Sequence, residues 1–189
     1  MKVLIIPEDP TFDQYIVKPV VERLLKDLGL TGRVDVLRDP KLEGIDKALD
    51  KDVIADIVND NPMEDLFVLV VDRDCDRMNN STRTAARVAE HRDRLVACLA
   101  KEELEVWMLA LYRDELGVRW SEVTQECDPK EKYAEPFMAR KGWTAQVGRG
   151  RKRAMHALGG AWTGLLSVCP EIATLKSDVQ NWKMVKELL

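Results

Sequence analysis

The chain has 189 residues, 46% of them hydrophobic and 33% charged, with a formal net charge of −4. That length supports one well-buried domain, alone or with a helical extension, and argues against a second full domain. No apolar run reaches the roughly eighteen residues of a membrane span, and the short stretch ending at Pro7 is too brief for a signal peptide. A cytoplasmic protein without a membrane partner is expected.

The charge is unevenly spread. No acidic residue stands between Glu135 and Glu171, whereas Arg140, Lys141, Arg149, Arg151, Lys152 and Arg153 lie there, leaving about −10 on the rest of the chain. An acidic body with a basic C-terminal segment can hold a cation in one place and a polyanion in another. The cysteines Cys75, Cys98, Cys127 and Cys169 show no CxxC spacing, so they read as reduced thiols rather than zinc ligands or a disulfide framework.

In chain order, Val3 to Ile6 is a continuous apolar run that reads as a strand buried on both faces and ended by Pro7. A helix follows from about Thr11 to Leu28, with Ile16, Val20, Leu24 and Leu28 on one stripe and Gly29 as its cap, Pro19 shifting its start or kinking it. Arg33 to Leu37 alternates like a strand, and Ile45 to Val58 has helical spacing. Leu66 to Val71 is wholly apolar and belongs at the sheet's centre.

A polar helix is expected from about Ser81 to Arg92, a fourth strand over Leu95 to Leu99, and a helix from about Glu102 to Leu116. Glu126 to Pro136 reads as a loop, and the last helices, bearing Trp162, Leu165, Leu166, Trp182 and Leu188, should pack back on the sheet. The pattern predicts an α/β fold with about four mainly parallel strands flanked by helices, divided into residues 1–117 and a helical extension over 118–189.

The chemical signal is Asp72-Arg73-Asp74-Cys75-Asp76, with carboxylates at alternate positions directly after the apolar strand. In an extended chain Asp72 and Asp74 point the same way, and converging carboxylates repel unless a cation binds. A hard divalent ion, magnesium or manganese, suits such oxygen ligands. Taken alone, this run would read as a solvated acidic turn. Glu8 strengthens the case because it also stands beyond the C-terminal end of a strand, where open parallel sheets bind ligands.

A glutamate after the first strand and a DxDxD cluster after a central one resemble the Toprim domain of topoisomerases, bacterial primases and OLD-family nucleases. Glu8-Asp9-Pro10-Thr11-Phe12-Asp13 is similar to that family's E-G-P-T/S-D pattern, with Asp9 where glycine is usual. Asp72-Arg73-Asp74 and Glu105-Val106-Trp107 look like the DRD and E-x-W segments of small stand-alone Toprim-like proteins found beside ATPases in prokaryotic defence loci. The likeness covers roughly residues 2–115. It implies a Toprim or Rossmann-like fold in which Glu8 is general acid/base or completes the metal shell, Asp72 and Asp74 hold magnesium and Asp76 is a secondary ligand. It further implies a nuclease or phosphodiesterase activity in antiviral defence, with an ATPase as partner.

Other positions carry alternatives. Glu105 lies on a partly apolar helix stripe, either reaching toward the metal site or bonding a backbone group or arginine, and Arg73 is a possible support. Trp107 reads as core. The segment 140–153 mixes cations, glycines and an aromatic: Lys141, Trp143, Arg149, Arg151, Lys152 and Arg153 can follow a nucleic-acid backbone, DNA ahead of RNA, or form a solvated basic face. Lys141 and Lys152 are the residues expected to neutralise a phosphate. A non-catalytic scaffold binding nucleic acid or a partner protein is the competing reading, and the C-terminal helices permit an oligomer. Phosphatase-like and receiver-like domains fit less well. The acidic cluster follows the third strand rather than the first, and no lysine after a fifth strand is evident.

Overall fold

The computed structural model describes residues 1–188, Arg77 by its backbone alone. It is an α/β fold built on four parallel strands in the order β2-β1-β3-β4. The strands are β1 (Lys2–Pro7), β2 (Arg33–Val36), β3 (Leu66–Asp72) and β4 (Leu95–Ala100). The central pair, β1 and β3, is apolar over residues 3–7 and 66–71 because both faces are covered there. Val3, Ile5, Leu66, Val68 and Val70 face one core, and Leu4, Ile6, Phe67, Leu69 and Val71 face the other.

Helix α1 (Gln14–Asp27) buries Ile16, Val17, Val20, Val21, Leu24 and Leu25 at helical spacing, with Pro19 inside it rather than at its start. The expected single helix over Ile45 to Val58 is broken into α2 (Ile45–Ala48) and α3 (Lys51–Asp60). Asp50 causes the break: its extended backbone leaves the helix, and its carboxylate accepts the N–H groups of Asp52 and Val53 as an N-cap. Helix α4 (Arg77–Glu90) begins earlier than its sequence pattern indicated. Helix α5 is shorter than expected, Glu105–Ala110: Glu102, at φ 62, keeps it from starting earlier, and a separate 3-10 turn over Arg113–Glu115 follows it.

Beyond residue 117 come α6 (Trp120–Val123), α7 (Glu135–Arg140), α8 (Arg151–Ala154), α9 (Leu158–Val168) and α10 (Pro170–Glu187). The segment expected to be a loop, Glu126 to Pro136, instead contains a wide helical turn over Lys130–Ala134 that runs into α7. Helices α9 and α10 bring Trp162, Leu165, Ile172, Leu175 and Val179 into the same core as β1 and α1. Trp107 is fully buried there and donates its indole N–H to Glu171 Oε1 at 2.8 Å, tying α5 to α10.

Replacing Asp50 with alanine removes the cap that separates α2 from α3. The expected cost is about 1 kcal/mol in urea unfolding, with an unchanged denaturant dependence.

Candidate functional site

Because β1 and β3 are neighbours, the residues following them share one rim of the sheet. There Glu8 Oε2 accepts the Asp72 N–H at 3.3 Å, and Asp72 Oδ1 accepts the Leu104 N–H at 2.9 Å. Asp13, preceding α1, accepts the Asp9 N–H at 3.0 Å, and Glu103 accepts the Lys130 N–H at 2.7 Å. Each of these carboxylates has one oxygen held by the main chain. Asp9 stands in for glycine without strain, since its φ is not positive and its own carboxylate accepts the Thr11 N–H at 2.8 Å.

A cavity of about 190 Å³ opens between them, lined by Glu8, Asp9, Asp13, Asp72, Asp74, Glu103 and Glu105, with Phe12 on its wall and Lys130 and Arg151 as its cations. Burial and mutual repulsion push the carboxyls upward. Glu8 reaches about 7 through burial first and then the charges of Asp74 and Asp9; Asp13 reaches about 7 through burial, Glu105, Asp9 and Glu8. Glu103 also rises to about 7, again mainly by burial. Asp72 is driven well above the carboxylate range by burial and then by Asp13, Glu105 and Glu8, and Asp74 is raised by burial and Glu102. Burial opposes the charge on Lys130, yet Glu105, Glu131 and Glu103 together raise its pKa.

Asp74 and Cys75 occupy the left-handed region, at φ 50 and 56. Glu102 holds this turn: its carbonyl accepts the N–H groups of Arg73 and Asp74, and its carboxylate bonds Cys75 N–H and pairs with Arg73. Arg73 is thus an anchor for the acidic loop, not part of the cavity lining. Asp76 does not converge with the others; it is exposed, precedes α4 and accepts an N–H from Asn79 at 3.2 Å. The expectation of four reduced thiols also fails, because Cys75 and Cys127 form a disulfide across 52 residues while Cys98 and Cys169 stay free and buried. The bridge ties the acidic loop to the C-terminal extension.

The basic segment divides between core and surface. Gly148, Arg149 and Gly150 all have positive φ, and a Cβ on Gly148 would stand 2.3 Å from the Tyr15 ring. This turn delivers Arg151, 1% exposed, onto Glu105 through Nε at 2.9 Å and through Nη2, with its guanidinium 4.9 Å from the Phe12 ring centre. Glu105 therefore both lines the cavity and pairs with an arginine. Lys141 is paired with Glu115, and half-buried Trp143 packs edge-on to Tyr112 and Phe137, so its ring forms part of the core periphery. Arg149, Lys152 and Arg153 are exposed. The sequence reading missed Asp13, Glu103 and Lys130 as site residues. Asp13 was visible as the last member of the first motif, whereas nothing local marks the other two.

No protein-family model matches the chain, and neither the curated proteins nor the solved structures contain a match.

Arg151→Ala leaves Glu105 buried without its cation, and the expected loss is about 3–5 kcal/mol in denaturant unfolding; the double variant with Glu105→Gln recovers part of it. A second expectation concerns pH. The carboxyls of Glu8, Asp13 and Glu103 titrate in the folded chain at about 7, above their ordinary values of 4.5, 3.8 and 4.5. The folded state therefore holds their protons longer, and stability falls as pH rises through that window. Without divalent metal, the thermal midpoint should drop between about pH 5 and about pH 8, and Glu8→Gln should flatten the slope.

Proposed function

We propose that this chain is a divalent-metal-dependent phosphodiesterase of the Toprim-like kind, a nuclease acting on DNA ahead of RNA. The reading rests on one observation: strand-end carboxylates Glu8 and Asp72 meet Asp13 and Asp74 at a single cavity that also holds Lys130. Among the described residues no three such side chains are already drawn close enough to enclose an ion. The donor set nonetheless fits magnesium or manganese in kind. It is all oxygen, and the main chain orients Glu8, Asp13 and Asp72 through one oxygen each.

A bound ion would supply Lewis acidity and a water of lowered pKa. The chain's own residues account for the rest. Asp72 and Asp74 would hold the ion, with Asp13 as a further carboxylate beside them. Glu8 would either complete that shell or act as general acid/base; in the metal-free chain burial raises its pKa to about 7. Lys130, whose ammonium pairs with Glu131 at 3.4 Å, stays protonated beside Glu103 and Glu105 and is the cavity cation that can meet a phosphate oxygen. Exposed Arg149, Lys152 and Arg153 supply backbone phosphate contacts.

An ATPase partner and an antiviral setting complete the proposal and come from the Toprim resemblance, and a cytoplasmic location comes from the sequence, where no signal-peptide or membrane-span pattern is seen. The structure adds that, among the described residues, no helix is long and apolar enough to cross a membrane. The second reading, a non-catalytic scaffold for nucleic acid or a partner protein, draws on the buried Arg151–Glu105 pair, which neutralises part of the acidic cluster without any ion.

Calorimetric titration with manganese, run beside cleavage of end-labelled DNA and RNA, separates the two. Metal-dependent cleavage is expected, abolished by Glu8→Gln and by Asp72→Asn and reduced about a hundredfold by Lys130→Ala. Cleavage that survives both carboxylate variants removes this site from consideration; metal binding without cleavage supports the scaffold.

A further inference from the structure

Strand β4 closes one side of the sheet and has no neighbour beyond it among the described residues. Its register sets which main-chain groups are free. Phe67 N–H bonds Arg94 O, so in this parallel ladder Val96 and Cys98 bond β3, while Ala97 and Leu99 turn their N–H and C=O groups outward. The strand Leu95-Val96-Ala97-Cys98-Leu99-Ala100 carries neither charge nor proline, the usual protections of an open edge.

The edge forms the floor of a groove of about 930 Å³ between α4 and α10. The two walls differ in chemistry. On the α4 side stand the small and apolar residues Ala85, Val88 and Ala89, in a helix that buries only Asn80 and Thr84 among its described side chains. On the α10 side stand Thr174, Asn181 and the acids Glu171 and Asp178, with Lys186 farther along the helix and Arg92 lining the groove beyond α4. Asp178 makes no ion pair or hydrogen bond with another described residue, and burial raises its pKa. It lies near enough to Cys98 to raise that thiol's pKa in turn.

We propose that this groove binds an extended segment of a partner protein, about five residues long, which adds a fifth strand beside β4. The segment alternates: basic side chains face Asp178 on the α10 wall, and apolar ones face Ala85, Val88 and Ala89 on α4. The proposal is independent of the acidic cavity and of its chemistry.

The test uses the full chain and acetylated decapeptides of alternating valine and lysine, with two controls: glutamate in place of lysine, and a version N-methylated at alternate positions. One-to-one binding is expected for the lysine peptide, with amide-exchange protection at Ala97 and Leu99 and a change in emission from Trp182, which lines the groove. Asp178→Asn should weaken it about tenfold, and both controls should bind at least about tenfold more weakly. Equal protection by the lysine and glutamate peptides overturns the proposal, as does no protection at saturating peptide. A peptide-free protein that is already dimeric, with both amides protected, overturns it in favour of a second copy.

Discussion

The pairing of Arg151 with Glu105 is the constraint on which the site's architecture depends. Both side chains are almost wholly buried, at 2% and 5% side-chain exposure, so neither charge can be left alone at that depth. Satisfying it folds residues 147–154 back onto the sheet's rim, with Gly148 against Tyr15 and the guanidinium over Phe12. The C-terminal extension thereby becomes a wall of the cavity. A segment that reads as a basic tract is in part a structural plug, and only its exposed members remain for a polyanion.

Opposing this anchor is the repulsion among the remaining carboxylates. Asp72 is pushed far from its ordinary titration by burial and by Asp13, Glu105 and Glu8 together. A cluster built only for stability would contain fewer such groups or more cations. The main chain, moreover, holds several of them in place: Leu104 orients Asp72, Asp9 orients Asp13, and Lys130 orients Glu103. Orientation of carboxylates through their outer bonds is what the proposed metal site would require. The Cys75–Cys127 bridge and the Glu102 contacts do comparable work for the loop carrying Asp74.

Two different parts of the sheet are open. The carboxyl ends of the strands gather acids around a small polar cavity, whereas the free side of β4 offers main-chain groups and an apolar floor. The two proposed sites share no lining residue, so neither proposal depends on the other.

Local pattern determined much of this protein. Four strands, their parallel arrangement and the helices between them follow from apolar runs and their spacing, because burial on two faces demands continuous apolar sequence. The positions of Glu8, Asp72 and Asp74 at the sheet's rim were legible for the same reason: each stands at or just beyond a strand end that is recognisable from composition. Helix boundaries were less so, since Asp50 splits one helix and Glu102 delays the start of another through side-chain and backbone bonds that periodicity does not register. Only tertiary structure brought Arg151 to Glu105, Lys130 to Glu103 and Cys75 to Cys127, and only it separated Asp76 from its neighbours. Those contacts join residues 46, 27 and 52 positions apart, and they are a buried ion pair, a main-chain hydrogen bond to a carboxylate and a covalent bridge, none of which a local window contains.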